Sequence, residues 1–102
     1  MDQAQAEVLK QQIGIMNILS ISGGRTILNL SNGTLYLPVS NGYRVQIELD
    51  EASDTYTVRR IFRRSSKDFV KGEVTGVYCD QVGEVAYEAG MFRSGEFPQV
   101  AA

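Results

Sequence analysis

Six of the ten basic residues in this 102-residue chain fall within 13 positions: Arg59, Arg60, Arg63, Arg64, Lys67 and Lys71. With Asp68 among them, residues 59–71 carry a net charge of +5, so the rest of the chain carries −7. Four of the six are arginines, whose planar guanidinium suits two-pronged contact with carboxylate or phosphate. This segment is the candidate for charged contact with a partner. Three readings fit it: a solvated hairpin whose charges guard a sheet edge, a contact for an acidic protein surface, and a contact for nucleic acid. On a strand, Arg59 and Arg63 share a face with Ile61 while Arg60 points the other way, so the cluster is not one flat patch.

Other constellations are thinner. Asp80, Glu84 and Glu88 follow one another at helical spacing. No histidine backs them as a metal ligand, and they read as a solvated helix face. Cys79 is the only cysteine. It sits at the expected start of a helix, where a thiol pKa can fall, but without an acid–base partner it reads as a small half-buried residue. Histidine is absent altogether, which removes the commonest general base, the usual nucleophilic triads and most zinc sites. No catalytic residue, metal ligand or cofactor contact is assigned, and the expectation is a protein that is not an enzyme.

Residues 31–43, SNGTLYLPVSNGY, carry Ser-Asn-Gly twice. A phosphate-binding glycine loop runs from a strand into a helix N-terminus, whereas both tripeptides here lie between alternating apolar runs. Asn-Gly accepts the positive φ of tight hairpins, so both are expected to be turns.

These segments need elements to hold them. Residues 2–12 are rich in good helix formers, and the apolar residues Val8, Leu9, Ile13, Met16 and Leu19 could extend one helical face to Ser20. Gly14 is expected to break or kink that run, and Gly23-Gly24 to end it. Five strands follow: 25–30, 34–39, 43–49, 55–63 and 69–75, the last weakened by Gly72. The run at 43–49 alternates most cleanly, with Tyr43, Val45, Ile47 and Leu49 inward. A second helix is expected over 77–89, with Tyr78, Val82, Val85, Ala86, Ala89 and Phe92 as its apolar stripe. Gly83 within it would admit a close backbone approach. The fold class is therefore α+β: an antiparallel β-meander of about five strands with an N-terminal and a C-terminal helix on one face. Residues 1–93 form the single domain, and 94–102 read as a flexible C-terminal tail.

Composition bounds the setting. A net charge of −2 and a pI near 5.0 argue against a general nucleic-acid or membrane binder. A lone cysteine suits a reducing compartment. The polar start MDQAQAEVLKQQ is not a signal peptide, so a cytoplasmic protein is expected. The two open edges of a meander also admit a homo-oligomer.

Four stretches, QIGIMNILSISGGR (12–25), LPVSNGYRVQIEL (37–49), YTVRR (56–60) and KGEVTGVYCDQVGEVAYEAGMFR (71–93), together resemble small proteins encoded by tailed bacteriophages and prophages, notably those of actinobacteria. That group has no established biochemical function, and no active-site residues carry over. The resemblance implies a viral accessory protein in the bacterial host cytoplasm, acting on a host protein or within a viral assembly. The order of elements also invites comparison with the double-stranded-RNA-binding domain. That domain grips phosphates from the start of its second helix, where this chain has Val77-Tyr78-Cys79-Asp80.

Overall fold

Asp2 opens the first helix. Its carboxylate accepts the Gln5 backbone N–H at 2.8 Å, and the Gln5 side chain accepts the Asp2 N–H at 2.9 Å, a reciprocal capping box. In the computed structural model, which describes residues 1–91 and Phe97–Pro98, helix α1 spans Gln3–Ile13 and α2 spans Ile15–Ser22. Gly14 separates them at φ 90°, with its N–H still bonded to the Lys10 carbonyl at 3.0 Å. A residue with a Cβ reaches that φ only at a cost, so the glycine sets the break. The break also revises the expected single apolar face. Leu9 and Ile13 are buried, but Val8, Met16 and Leu19 are exposed. The chain restarts on a new axis, and Ile18 and Ile21 take the inward positions instead.

Gly23 ends α2 in the left-handed conformation, its N–H returning to Leu19 O at 2.9 Å. The chain then runs through five consecutive antiparallel strands: β1 (Ile27–Asn29), β2 (Thr34–Pro38), β3 (Tyr43–Asp50), β4 (Thr55–Arg64) and β5 (Lys67–Val77), in spatial order β1-β2-β3-β4-β5. Both Ser-Asn-Gly tripeptides are turns. In the first, the Asn29 side chain accepts from the N–H and hydroxyl of Ser31; in the second, Asn41 and Gly42 take φ of 62° and 82°.

Register follows from the alternating pattern. Tyr43, Val45, Ile47 and Leu49 of β3 lie opposite Phe62, Arg60, Val58 and Tyr56 of β4, and this row faces the helices. Helix α3 (Val82–Gly90) packs over β3, β4 and β5, while α2 lies over β2 and against α3. Both helical layers thus cover one face, with the apolar core between them.

The last helix starts five residues later than the sequence suggests. Val77 is the final residue of β5, opposite Tyr56, and Gly76 takes φ 66° just before it, where the β4–β5 register shifts. Residues 78–81 form a turn in which the Val82 N–H bonds to Tyr78 O at 3.0 Å. Tyr78 therefore leaves the apolar stripe and is exposed, whereas Val82, Ala86 and Ala89 are buried as expected. Phe92 lies outside the described residues. A Cβ on Gly83 would stand 2.6 Å from the Ile13 carbonyl oxygen, so this glycine lets α3 cross the end of α1 at close range. The expected tail at 94–102 falls mostly outside the described residues. Within it, Phe97 is fully buried, and Pro98 O accepts the Glu73 N–H at 3.0 Å on the outer edge of β5. Among the described residues no helix is long and apolar enough to cross a membrane.

Candidate functional site

The basic segment 59–71 forms the long β4–β5 hairpin, closed by a two-residue turn. Ser65 and Ser66 both adopt positive φ, 52° and 65°, the sign pattern of a type I′ turn. The turn is shorter than the gap between the expected strands 55–63 and 69–75, so Arg64 and Lys67 are themselves paired strand residues.

The hairpin divides the six cations into two groups. Arg59 and Arg60 sit at its root. Arg59 bridges three strands, with Nη1 2.8 Å from Glu48 Oε1 on β3 and Nε 2.8 Å from Glu73 Oε2 on β5. Burial acts to lower its pKa, but the bonds and charges of Glu73 and Glu48 outweigh this and raise it above the ordinary arginine value.

Arg60 points the opposite way, into the core-facing row, and is 4% exposed. Its guanidinium donates to three carbonyls at the end of α3: Nε to Ala89 O at 2.9 Å, and Nη2 to Glu88 O at 3.0 Å and Met91 O at 3.1 Å. It also lies 5.2 Å from the centre of the Phe97 ring. The last turn of α3 has no basic residue of its own, and Arg60 supplies the cation that the negative end of a helix favours. Burial lowers its pKa from the ordinary value, since no carboxylate compensates as at Arg59. Arg60 is therefore withdrawn from any outside contact, and Arg59 is committed to two carboxylates.

The other four cations are exposed, and three of them, Arg63, Arg64 and Lys67, stand at the tip. Arg63 and Asp68 face each other across the strands, 3.9 Å apart, a loose and exposed pair. Arg64 and Lys67 form the last pair before the turn, on the same side as Phe62 and Phe69. Lys71 sits at a β-bulge, the extra residue between the Ile61–Val70 and Arg60–Gly72 pairs, and its Nζ is 5.9 Å from the Phe69 ring centre. Phe69 is 44% exposed and Val70 39%. From the tip down to the bulge, the outer hairpin thus combines four exposed cations, one carboxylate and two exposed apolar side chains. Phe69 and Val70 were not singled out from sequence. The signal was there in the alternation Lys67, Phe69, Lys71, which puts an aromatic between two lysines on one strand row.

The acidic stripe is shortened by the late start of α3. Asp80 lies in the preceding turn, leaving Glu84 and Glu88 on the helix. Cys79 lies in the same turn and is exposed, in place of the expected half-buried position at a helix start. Among the described residues no group of three acidic or cysteine side chains could hold a metal ion. No family model matches the chain, and neither a curated protein nor a solved structure proves similar to it.

Proposed function

We propose that this protein acts by binding another protein through the tip of the β4–β5 hairpin, and that it is not an enzyme. The observation that carries the reading is the separation within the basic segment. Two arginines are consumed by the fold, while Arg63, Arg64, Lys67 and Lys71 stay exposed around Phe69 and Val70. Arginine and aromatic side chains are the types that anchor protein interfaces, and guanidinium bonds to carboxylates are stronger than neutral ones. The partner is an acidic protein surface. The resemblance to phage proteins supports a host factor that is modulated or inhibited in the bacterial cytoplasm, or a neighbouring subunit of a viral assembly. An acidic body with one basic arm also orients such a partner during approach.

The test is capture from a nuclease-treated bacterial host lysate with the full chain and with the triple variant Arg63→Glu, Arg64→Glu, Lys67→Glu. One partner protein should co-elute with the parent chain and be lost from the variant, with thermal melting unchanged. Retention by the variant refutes the tip as the contact.

Phe69 among the lysines favours a second reading, single-stranded nucleic acid, because an exposed ring beside cations can stack a base while the cations meet phosphates. Anisotropy with a labelled oligonucleotide should then show binding that falls linearly with salt on logarithmic axes. No binding at low salt eliminates this reading.

A further inference from the structure

The flank of the molecule opposite the basic hairpin is built differently. Residues 11–43 contain one charged side chain, Arg25, against 21 in the other 69 positions. This stretch runs from the end of α1 through α2, β1 and β2 to the start of β3. β2 is interior, but β1 ends the sheet, and among the described residues only β2 pairs with it. Its free backbone edge has no lysine, proline or bulge, the usual devices that keep edges from pairing. The other edge, at β5, is covered at Glu73 by Pro98 and lies beside the cations.

The helix layer ends in the same unfinished way. On α2, the Asn17 amide nitrogen and Ile21 approach Gly83 and Gly90 of α3. Turning 100° per residue from those positions puts Ile15 and Leu19 on the opposite side of α2, toward the β1 end of the sheet, with Met16 beside them. These three are 64%, 49% and 73% exposed. Five of the eight residues of α2 are apolar, yet only Ile18 and Ile21 among them are buried, so more apolar surface is left outside than one packed side accounts for. Beside it runs a groove of about 470 Å³ lined by Lys10, Gln11, Ile15, Ile18, Gly24 and Thr26, with Glu7 at its end.

We infer that this flank is a two-fold interface with a second copy of the same chain. The β1 strand pairs antiparallel with its counterpart, and α2 packs on α2 above them, so that both layers continue across the axis. A two-fold axis makes an edge strand its own antiparallel partner, and an uncharged apolar ridge complements itself without charge matching. A partner of other chemistry would need charges here to recognise; residues 11–43 offer one, and the two that line the groove, Lys10 and Glu7, are paired with each other at 3.0 Å. The area also suffices. The molecule measures 30 × 27 × 26 Å, so covering one side is of the order of the ~800 Å² per partner that stable interfaces bury. Charge depletion is the compositional mark of such interface cores.

Sedimentation equilibrium on the full chain from low to high micromolar concentration tests the interface. The parent chain should be a dimer. The variant Met16→Glu, Leu19→Glu changes two exposed side chains, and should keep its circular dichroism while its dissociation constant rises at least 100-fold. Ile27→Lys, a charge on the open edge, should weaken the dimer about tenfold by itself and keeps the test decisive if the double variant fails to fold. The hairpin variant Arg63→Glu, Arg64→Glu should dimerise as the parent does. A parent chain that is monomeric throughout overturns the inference, as does an oligomer larger than a dimer. So does a dimer indifferent to both flank variants.

Discussion

Arg60 and Arg64 are four residues apart on one strand and on the same face of it, yet the fold treats them oppositely. Arg60 is sealed beneath α3, with three carbonyl oxygens around its guanidinium. Arg64 stands beside the turn, exposed. What separates them is the reach of the helix layer, because α3 covers the root of the hairpin and ends before its tip. On the reverse face the same division recurs. Arg59 is held between Glu48 and Glu73 at 2.8 Å each, whereas Arg63 meets Asp68 at 3.9 Å. A run of like charges in a sequence is therefore not one functional unit. Its root serves folding and its tip is free to serve something else.

The widest test of this division is Arg60→Met. Methionine keeps much of the length and apolar volume but donates nothing, leaving buried carbonyls at the end of α3 without their charged donor. Hydrogen bonds to charged groups contribute about 1.5–3 kcal/mol and orphaned buried acceptors add to the loss, so unfolding by urea should show a destabilisation of about 3 kcal/mol. A loss under about 0.5 kcal/mol would mean that the root cation is as dispensable as those at the tip. Arg59→Met comes next. It is less buried, and the two glutamates it leaves can hydrate, so about 1 kcal/mol is expected, shrinking in 1 M salt as screening weakens the parent ion pairs. A salt-independent loss would assign the effect to packing of the arginine stem instead.

The alternation at Tyr56, Val58 and Phe62 makes the inward row of β4 readable from sequence, and it places Arg60 in that row. Its role was not readable, because an arginine among inward residues acquires meaning only from what lies above it. That is the end of a helix 28 to 31 residues away in the chain. The start of α3 was misplaced for a local reason. Val77-Tyr78-Cys79-Asp80 continues the apolar spacing of the helix, while the strand claims Val77 through its pairing with Tyr56, just after a register shift at Gly76. The break at Gly14 could be read because glycine is the residue that such a φ requires. The consequence for Met16 and Leu19 could not, since the new axis of α2 depends on its packing against α3. The charge-poor flank was visible as composition from the outset. Only the topology shows that it coincides with an open sheet edge.

The smallest expected effect bears on the tip itself. Ser65 and Ser66 hold positive φ without a glycine, and a residue with a Cβ gives up roughly 1 kcal/mol in that region. Asn-Gly is the pair that fits such a turn. Ser65→Asn with Ser66→Gly should therefore stabilise the protein by about 0.5–1 kcal/mol, partly offset by the extra freedom that glycine brings to the unfolded chain. Among the described residues neither serine makes a side-chain hydrogen bond, so the change isolates turn strain. Its value lies in what it does to binding. If the tip meets its partner in the conformation seen here, a better-fitting turn leaves the cations and Phe69 in place and affinity is kept or improved through preorganisation. If the strained serines store a rearrangement that the partner draws on, the stabilised turn resists it and affinity falls although stability has risen. A rise in stability with unchanged or tighter capture is the result expected of a tip that is rigid because its root is buried.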